Sequence, residues 1–409
     1  MASIRAQFEV PSKTKTWSLA LIFIGVLSLI VGFVTKGMSS DEHTKTVFWG
    51  TLMYNSIFFT LICNASMFFI CATTLAMGGW QIAFRRIPEA ISVMVKIFGP
   101  ITLAILLYVV LVDHNHEIYH WLSEEAKVDP ILKGKLGFLN PTFFAIWTTL
   151  TIVLWIFLGA RMRKLSAECD EAPMDAETGT KFIWRNTVSA SLFIVWFALT
   201  VASTIPWLWM MSIDAHWYST MYSWYTFASS FVSGMALVAL WVIFLKNKGY
   251  LEYANEEHLH DIGKFMFAFS VFWTYLWFSQ YMLIWYGNIP EEVVYFKHRV
   301  QGAYKGIFFL NLIINFICPL LILMKRSAKR NYTIVTFMAV LIIFGHWIDF
   351  YQMVMGSLSK EEVTLGWFDF GIASLFIGMI IFFVSKELAK KPLVMKYHPF
   401  LKESIIHHT

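Results

Sequence analysis

Long apolar stretches constrain the fold of this chain more than any other feature of its sequence. Each is long enough for a helix that crosses the hydrocarbon core of a bilayer, which takes roughly 20 residues. They lie at 17–35, 47–77, 88–112, 139–160, 187–212, 218–245, 262–286, 302–324, 332–355 and 364–385. Because none alternates between polar and apolar residues, we expect helices, which satisfy their own backbone hydrogen bonds in lipid. The sequence therefore predicts an all-α integral membrane protein with about ten transmembrane helices.

The composition excludes a water-soluble fold. Charged residues make up 14% of the chain and hydrophobic residues 57%, whereas a soluble domain has roughly 25% charged residues. We predict a single polytopic membrane domain over 1–409. Two four-helix bundles, at 47–212 and 218–355, form its centre, and the helices at 17–35 and 364–385 are peripheral.

Basic residues between the spans predict the orientation of the chain. The side that holds the N-terminus carries 21 Lys and Arg residues and the opposite side carries 8. Cytoplasmic loops of membrane proteins carry the excess of Lys and Arg, so we expect both ends of the chain in the cytoplasm. The net charge of +5 then reflects topology and attraction to anionic lipids, and it gives no reason to expect a nucleic-acid partner.

The cysteines and histidines give no ligand set for a metal or a haem. The four cysteines show no Cys-x-x-Cys, haem-attachment or zinc spacing. Of the histidines, only His346 lies well inside a span, and a b-type haem between helices needs a pair of axial ligands. We therefore expect no metal ligands in this chain. If it takes part in redox chemistry, the metal centres belong to partner subunits.

Three ionisable residues lie at membrane depth, where such groups are costly and often functional. Lys96 in the third span either extends back to the surface or lines a proton-accessible cavity. His346 and Asp349 are three residues apart, so they share one face of the ninth span. This pair could transfer a proton or bind a quinol hydroxyl, because an imidazole exchanges protons near neutral pH. The alternative is a structural hydrogen bond that holds neighbouring helices together.

Other residues in the spans have simpler interpretations. Tryptophans such as Trp209, Trp273 and Trp277 are expected to be mainly anchors at the membrane interface. Pro206 and Pro319 are expected to kink their helices, because proline removes a backbone hydrogen bond.

Two stretches resemble a known family. Residues 212–222 (SIDAHWYSTMY) join the fifth and sixth spans, and residues 278–292 (FSQYMLIWYGNIPEE) end the seventh. Together they resemble the F-type membrane subunit of bacterial alternative complex III, a quinone-binding subunit of a quinol:cytochrome c oxidoreductase. That subunit belongs to the wider NrfD and polysulfide reductase C-like family. The resemblance covers nearly the whole chain, since the number of spans and both stretches are in register.

The resemblance implies a set of partners and cofactors. The chain would lie in the bacterial cytoplasmic (inner) membrane beside a homologous C-type membrane subunit. An iron–sulfur subunit and c-type haem subunits would bind on the outer side, and a terminal oxidase is a further candidate partner. Iron–sulfur clusters and haem c would then lie in those subunits, and menaquinone or its quinol is a candidate ligand of this chain.

The expected function is therefore that of a membrane subunit of a respiratory quinol:electron-acceptor oxidoreductase, either non-catalytic or quinone-binding. It would support quinol oxidation and proton translocation. The alternatives are a secondary transporter or ion and proton pathway, and a purely structural scaffold. The proton-pathway candidates are Lys96, His346, Asp349, Asp214 and His216. His346 and Asp349 are also the quinone-binding candidates, and we predict no catalytic residue.

Charged residues outside the spans are candidates for docking partner subunits. They are Asp113, His114, His116, Glu291 and Glu292. The two glutamates follow Pro290, where anionic side chains also suit the start of a helix. Docking, helix capping and proton exit therefore remain alternative interpretations of these groups.

Overall fold

The computed structural model describes residues 7–408, and within that range the chain forms helices and turns but no β-strand. Arg5, one of the basic residues counted above, and Thr409 lie outside the described residues. The helices are α1 (Ser12–Gly32), α2 (Glu42–Leu75), α3 (Arg86–Ser92), α4 (Val95–Leu107), α5 (Pro130–Lys135), α6 (Pro141–Ala167), α7 (Ala176–Leu199), α8 (Ile205–Trp209), α9 (Met221–Asn247), α10 (Glu256–Gly287), α11 (Pro290–Val300), α12 (Lys305–Leu312), α13 (Cys318–Leu323), α14 (Arg326–Arg330), α15 (Tyr332–Leu358), α16 (Trp367–Leu388) and α17 (Leu401–Ile405).

Nine helical segments in the described part of the chain are long and apolar enough to cross a membrane. They are Ser12–Gly37, Glu42–Leu75, Arg86–Val112, Pro141–Asp170, Ala176–Ile213, Met221–Asn247, Lys305–Leu323, Tyr332–Leu358 and Trp367–Leu388. The prediction of an all-α, multi-pass membrane protein is therefore confirmed.

The remaining predicted span, 262–286, lies within α10. This helix has 32 residues, which at 1.5 Å per residue exceeds the roughly 30 Å thickness of the hydrocarbon core. Its Trp, Tyr, Ser and His residues lower its mean hydropathy, so α10 is not one of the nine apolar segments. It nevertheless packs against α9 and α13, with Asn255 before its first turn bonded to His407 at the end that holds the C-terminal segment, and Tyr281 near its other end against Phe296 of α11.

The first and last described segments lie at the same end of the bundle. Gln7 Nε2 donates a hydrogen bond to the carbonyl oxygen of Ala389 at 2.9 Å, and the Ala83 backbone N–H donates to Ser404 Oγ at 3.0 Å. We call this end the N-side and the opposite end the far side. The far side carries the loops at 113–140 and 211–220, and helix α11.

Helices α1 and α16 form a close pair at the edge of the bundle. Ser18, Gly25 and Gly32 are spaced by seven residues and are the buried positions of α1. A Cβ atom added to Gly378 of α16 would lie 2.8 Å from the Ile22 nitrogen of α1. Small residues allow this approach, as is common between membrane helices, where packing rather than hydrophobicity drives association.

Both prolines in question follow a π-helical turn. The turn Thr200–Thr204 precedes Pro206, and the turn Ile313–Ile317 precedes Pro319. A π turn shifts the hydrogen-bonding pattern by one residue, which relieves the clash and the lost hydrogen bond that proline imposes. The helices at both predicted kink positions are accordingly divided into α7 and α8, and into α12 and α13.

Candidate functional site

Helices α9 and α15 form the centre of the bundle. Every residue from Tyr225 to Ala239 of α9 is buried, and so is every residue from Gly345 to Ser357 of α15. A helix that is buried on all its faces lies inside the protein rather than against lipid. Polar groups on these two helices must therefore find their partners within the bundle.

Asp349 on α15 accepts hydrogen bonds from three side chains. The Tyr225 hydroxyl donates to its Oδ1 atom, and Trp273 Nε1 donates to its Oδ2 atom at 3.0 Å. Ser229 Oγ lies 3.3 Å from the same Oδ2 atom. We call Tyr225, Ser229, Trp273, His346 and Asp349 the Asp349 cluster. Because all three partners of the carboxyl group are donors, the arrangement suits a carboxylate, which only accepts.

Ser229 connects His346 to Asp349. His346 Nδ1 lies 2.9 Å from Ser229 Oγ but 3.8 Å from Asp349 Oδ2, which is too long for a hydrogen bond. The predicted pair does share one face of α15, but the two side chains are connected by hydrogen bonds through the Ser229 hydroxyl group of α9. His346 Nε2 has no protein hydrogen-bond partner within residues 7–408. The cluster is thus an imidazole, a hydroxyl and a carboxylate in series.

A small cavity with a mixed polar and apolar wall adjoins Asp349 towards the far side. Its volume is about 20 Å³, and roughly 10–15 Å³ is enough for one water molecule. Besides Asp349, its polar lining consists of Tyr225, Gln280, Tyr295, Arg299 and Gln352. Gln352 Nε2 has no protein hydrogen-bond partner among the described residues. The size and lining of this cavity suit a water molecule.

Arg299 of α11 is buried beside this cavity. Its guanidinium lies 3.5 Å from the centroid of the Tyr295 ring and donates to Ser357 Oγ at 2.8 Å. In the described part of the chain, no carboxylate lies within ion-pair distance of it. The sequence placed Arg299 in an external loop, and nothing in its neighbours indicated that α11 turns this side chain into the bundle.

Three of the five predicted proton-pathway residues lie outside the Asp349 cluster, two of them on the far side. Asp214 pairs with Lys360 at 3.2 Å on the far side. His216 is 44% exposed, and its Nε2 atom lies 2.7 Å from Asp129 Oδ2. The hydrogen bond from His216 and those from the first turn of α5 hold the pKa of Asp129 at about 2. His216 therefore joins two surface loops.

Lys96 of α4 lies in the N-side half of the bundle, apart from the Asp349 cluster. Its side chain is exposed and lines a different cavity, between α4, α6 and the end of α16. The structure therefore brings His346 and Asp349 together and leaves Lys96 in separate surroundings.

The sequence interpretation missed a buried ionic network beside Lys96. Glu89 of α3 is 5% exposed; its carboxylate lies 3.1 Å from Arg85 Nε and 2.9 Å from an Arg86 guanidinium nitrogen. Arg86 also pairs with Asp170 at 2.5 Å. The available signal was the spacing of Glu89, three and four residues after the two arginines.

The residues proposed for docking all lie at the far side. Asp113, His114 and His116 belong to the segment after α4, where both histidines are exposed. Glu291 is exposed and Glu292 half-buried in the first turn of α11. The predicted helix start at Pro290 is therefore observed.

Two tryptophans were wrongly assigned to the membrane interface. Trp273 and Trp209 have no exposed surface. Trp273 donates to Asp349, and Trp209 Nε1 donates to Thr148 Oγ1 at 2.9 Å. Both indoles occur inside the bundle because each finds an acceptor there.

A larger, apolar cavity of about 660 Å³ lies between α1, α2, α9, α15 and α16. Aromatic residues, including Phe58, Trp241 and Trp347, form much of its wall, and its polar lining is limited to Thr14 and Ser374. Its volume falls within the roughly 300–1,000 Å³ of ligand-binding cavities.

The fold and the cluster together define a polytopic α-helical membrane protein with a buried cluster of ionisable and polar side chains inside it. Among residues 7–408, no three His, Cys, Asp or Glu side chains meet in a group that could hold a metal ion. Neither a family model nor a curated protein sequence matches this chain.

Proposed function

We propose that this chain is a membrane subunit of a respiratory quinol:electron-acceptor oxidoreductase resembling alternative complex III, and that its Asp349 cluster handles protons. The observation that carries the proposal is the buried series of His346, Ser229 and Asp349. The resemblance of residues 212–222 and 278–292 to the F-type subunit supports the wider assignment. The excess of basic residues on the N-side supports an orientation with that side in the cytoplasm.

The relay can transfer one proton without a net change in Ser229. When His346 is doubly protonated and Asp349 is ionised, the proton on His346 Nδ1 passes to Ser229 Oγ while the hydroxyl proton passes to Asp349 Oδ2, which leaves His346 neutral with its remaining proton on Nε2. The distances of 2.9 and 3.3 Å allow both transfers, although the second is long and would shorten in the transfer itself. The exchange leaves a neutral carboxylic acid beside the small cavity and an imidazole that can be protonated again.

The cavity beside Asp349 extends the relay towards the far side. A water molecule there would contact Asp349 and reach the side chains of Gln352 and Arg299. Asp214 and Lys360 lie at the surface beyond. We therefore assign His346 and Asp349 to a half-pathway that opens on the far side, which in this orientation is the outer face of the membrane.

The volumes of the two cavities suggest different roles: the cavity beside Asp349 suits water and protons, and the apolar cavity between α1, α2, α9, α15 and α16 suits a quinone. The 20 Å³ cavity at Asp349 is far below the roughly 300 Å³ at which ligand cavities begin. The apolar cavity of about 660 Å³ has the volume for a quinone and its tail. Quinol oxidation itself would take place in a C-type partner subunit, with iron–sulfur clusters and haem c in other partners, which would dock at the far side near Glu291 and His116.

Purification from the native membrane in a mild detergent tests the assignment to a complex. We expect the chain to co-purify with a homologous membrane subunit, an iron–sulfur subunit and c-type haem subunits. The absorbance spectrum and mass spectrometry of the preparation identify them. A chain that purifies alone and carries a bound solute would instead support a transporter.

Variants of the relay test the proton role in the assembled complex. We expect Asp349→Asn and His346→Ala to slow quinol oxidation and to reduce proton release, with the larger effect in the presence of a membrane potential. Asp369→Asn is the matched control, because Asp369 is an equally buried carboxyl group that instead accepts from Tyr54 and the start of α16. If both relay variants assemble normally and keep full turnover and proton release, the cluster is structural.

A further inference from the structure

A cationic cavity of about 250 Å³ opens at the N-side of the bundle. It lies between α3 and α4, the end of α6 and the end of α16. Five cationic side chains line it: Arg86, Lys96, Arg163, Lys164 and Lys391. They come from α3, α4, α6 and the segment after α16, so it is the fold that brings these charges together and not one basic stretch of sequence.

The two carboxylates of this cavity are already paired, Glu89 with Arg86 of the cavity wall and with Arg85, and Glu387 with Lys390. The distance between Glu387 and Lys390 is 2.6 Å, and Lys390 does not line the cavity. The acidic residues therefore leave most of the positive charge in the cavity unmatched.

Four of the five cations have no ion pair within the described part of the chain. Arg163 donates to Ser92 Oγ at 2.8 Å, which is a neutral acceptor. Lys96, Lys164 and Lys391 have exposed side chains that reach no carboxylate there. A cluster of like charges without counter-ions is unfavourable by itself, so an anion in the cavity would relieve it.

The position of Lys96 indicates that this anion belongs to a lipid. Lys96 is exposed within the predicted span 88–112, between the apolar residues Val95 and Ile97. Because the segment Arg86–Val112 is long and apolar enough to cross a membrane and Lys96 lies near its N-side end, we place Lys96 at the boundary of headgroups and hydrocarbon, where an unpaired ammonium group is costly. Lipid phosphate is the anion that is abundant at that level.

An apolar surface continues from the cavity into the membrane. On α6, Phe157 is 59% exposed and Val153 52% exposed, on the same helical face as Ala160 and Lys164 of the cavity wall. This surface is positioned to contact acyl chains that extend from a headgroup bound in the cavity.

We propose that this cavity binds the phosphate headgroup of an anionic phospholipid. Lys96 and Arg163 provide the contacts nearest the membrane, and Lys164 and Lys391 provide them at the surface. Basic pockets between transmembrane helices are suited to such headgroups, and guanidinium groups bind phosphate oxygens with directional hydrogen bonds. A volume of 250 Å³ accommodates a headgroup, while the chains remain in the bilayer. The proposal does not depend on the respiratory assignment.

Native mass spectrometry of the full chain in a mild detergent tests the proposal. The probes are phosphatidylglycerol, phosphatidylcholine and inorganic phosphate. We expect phosphatidylglycerol to bind more tightly than phosphatidylcholine. Removing one cation should weaken its binding about fivefold, so the double variant Lys96→Met/Arg163→Met should lose about 25-fold. The double variant Lys181→Met/Lys248→Met removes the same charge from the N-side but outside the cavity, and its binding should change less than about twofold.

Each alternative result overturns the proposal. Equal binding of phosphatidylglycerol and phosphatidylcholine would mean that no headgroup is recognised, as expected if an acidic segment of a partner protein occupies the cavity. If inorganic phosphate saturates the cavity and phosphatidylglycerol binds no more tightly than phosphatidylcholine, the cavity is a site for a free anion. If the methionine variant fails to fold, Lys96→Gln alone should weaken phosphatidylglycerol binding about fivefold, and unchanged binding in that variant would overturn the proposal. Wild-type binding that does not weaken at high salt also overturns the proposal.

Discussion

The hydroxyl group of Tyr225 on α9 donates a hydrogen bond to the Asp349 carboxyl group on α15, and both residues are buried inside the bundle. Trp273 of α10 binds the other carboxyl oxygen. One carboxyl group thus connects three helices. The hydrogen bonds from Tyr225 and Trp273 fix its orientation without any contact from His346. A carboxyl group that is held in this way can exchange a proton through Ser229 without having to move.

The Tyr225 hydrogen bond should make a measurable contribution to stability. We expect Tyr225→Phe to lower the free energy of unfolding by about 1 kcal/mol, because interhelical hydrogen bonds in membranes contribute about 0.6 kcal/mol on average and up to about 1.7 kcal/mol. Unfolding in detergent micelles measures the difference. Tyr275→Phe removes an exposed hydroxyl group from α10 and should have no effect. Equal stability of the two variants would show that the Tyr225 bond contributes nothing.

The ionic network at Glu89 should be more sensitive to substitution. Glu89→Gln leaves the buried guanidinium groups of Arg85 and Arg86 without this carboxylate, and removing one partner of a buried ion pair typically costs about 3–5 kcal/mol. Asp170→Asn should cost under about 1 kcal/mol, because its carboxylate is partly exposed and Arg86 keeps Glu89. Thermal unfolding of the two variants provides the comparison. A larger loss for Asp170→Asn would contradict it.

His398 should make the docking of the C-terminal segment sensitive to pH. Burial, together with the charges of Arg85 and Arg86, lowers the pKa of His398 to about 3, while its Nδ1 atom accepts from the Phe400 N–H at 3.1 Å. Since the pKa in the unfolded chain is about 6.5, the unfolded state binds more protons between these values. The contribution of neutral His398 is therefore complete above about pH 6.5 and falls as the pH is lowered.

Between pH 7.5 and pH 5.5 this loss should amount to about 1.4 kcal/mol. His398→Asn keeps a hydrogen-bond acceptor near Phe400 but does not titrate, so it should lose less stability over the same interval. The stability of both proteins, measured by unfolding at the two pH values, gives the difference. Identical pH dependence would show that His398 stays neutral in the unfolded chain or is not buried.

The close contact between α1 and α16 should not tolerate a single added methyl group. The Cβ atom of Gly378→Ala would meet backbone atoms of Ile22 and Ser18 at 2.8 and 2.9 Å, so α1 must move. We expect a loss of about 1–3 kcal/mol, as for other overpacked interfaces. Gly134→Ala is the control, because its Cβ atom has no neighbour within 4 Å. Similar stability of both variants would show that α1 is not held in this position.

The orientation can be tested with reporters that are active only in the periplasm. A reporter fused after Thr409 should give no signal, because the basic residues concentrate on the N-side. The same reporter inserted beside Val128, which is 80% exposed on the far side, should be active. The opposite pattern would reverse the topology and turn the Asp349 side of the bundle towards the cytoplasm.

The sequence predicts the membrane helices well because the bilayer imposes their length and their apolar character. It also predicts that His346 and Asp349 share a face, since three residues make nearly one turn of a helix. It could not predict Ser229, Tyr225 or Trp273 as their partners, because which helix faces α15 depends on packing across the whole bundle.

Two further misses have the same origin. Arg299 was assigned to a loop because its helix, α11, is too short and polar to be recognised as part of the bundle. Glu89 was taken as the beginning of a span, whereas its partner Arg86 also binds Asp170 and Ser166, which come from a distant segment. Ionisable residues near the ends of spans are therefore the ones whose surroundings a sequence leaves open.

The polar character of α10 has a consequence for the order in which the protein is assembled. Gln280, Ser270 and Asp261 are all buried on this helix, and Trp273 needs the carboxyl group of Asp349, which is synthesised 76 residues later. A segment of this kind gains little from entering lipid alone, so its stable insertion depends on helices on either side of it in the sequence. We therefore expect α10 to reach its final position only after α15 has been synthesised. Substitutions in α15 can then reduce the yield of inserted protein even where they leave the finished bundle stable.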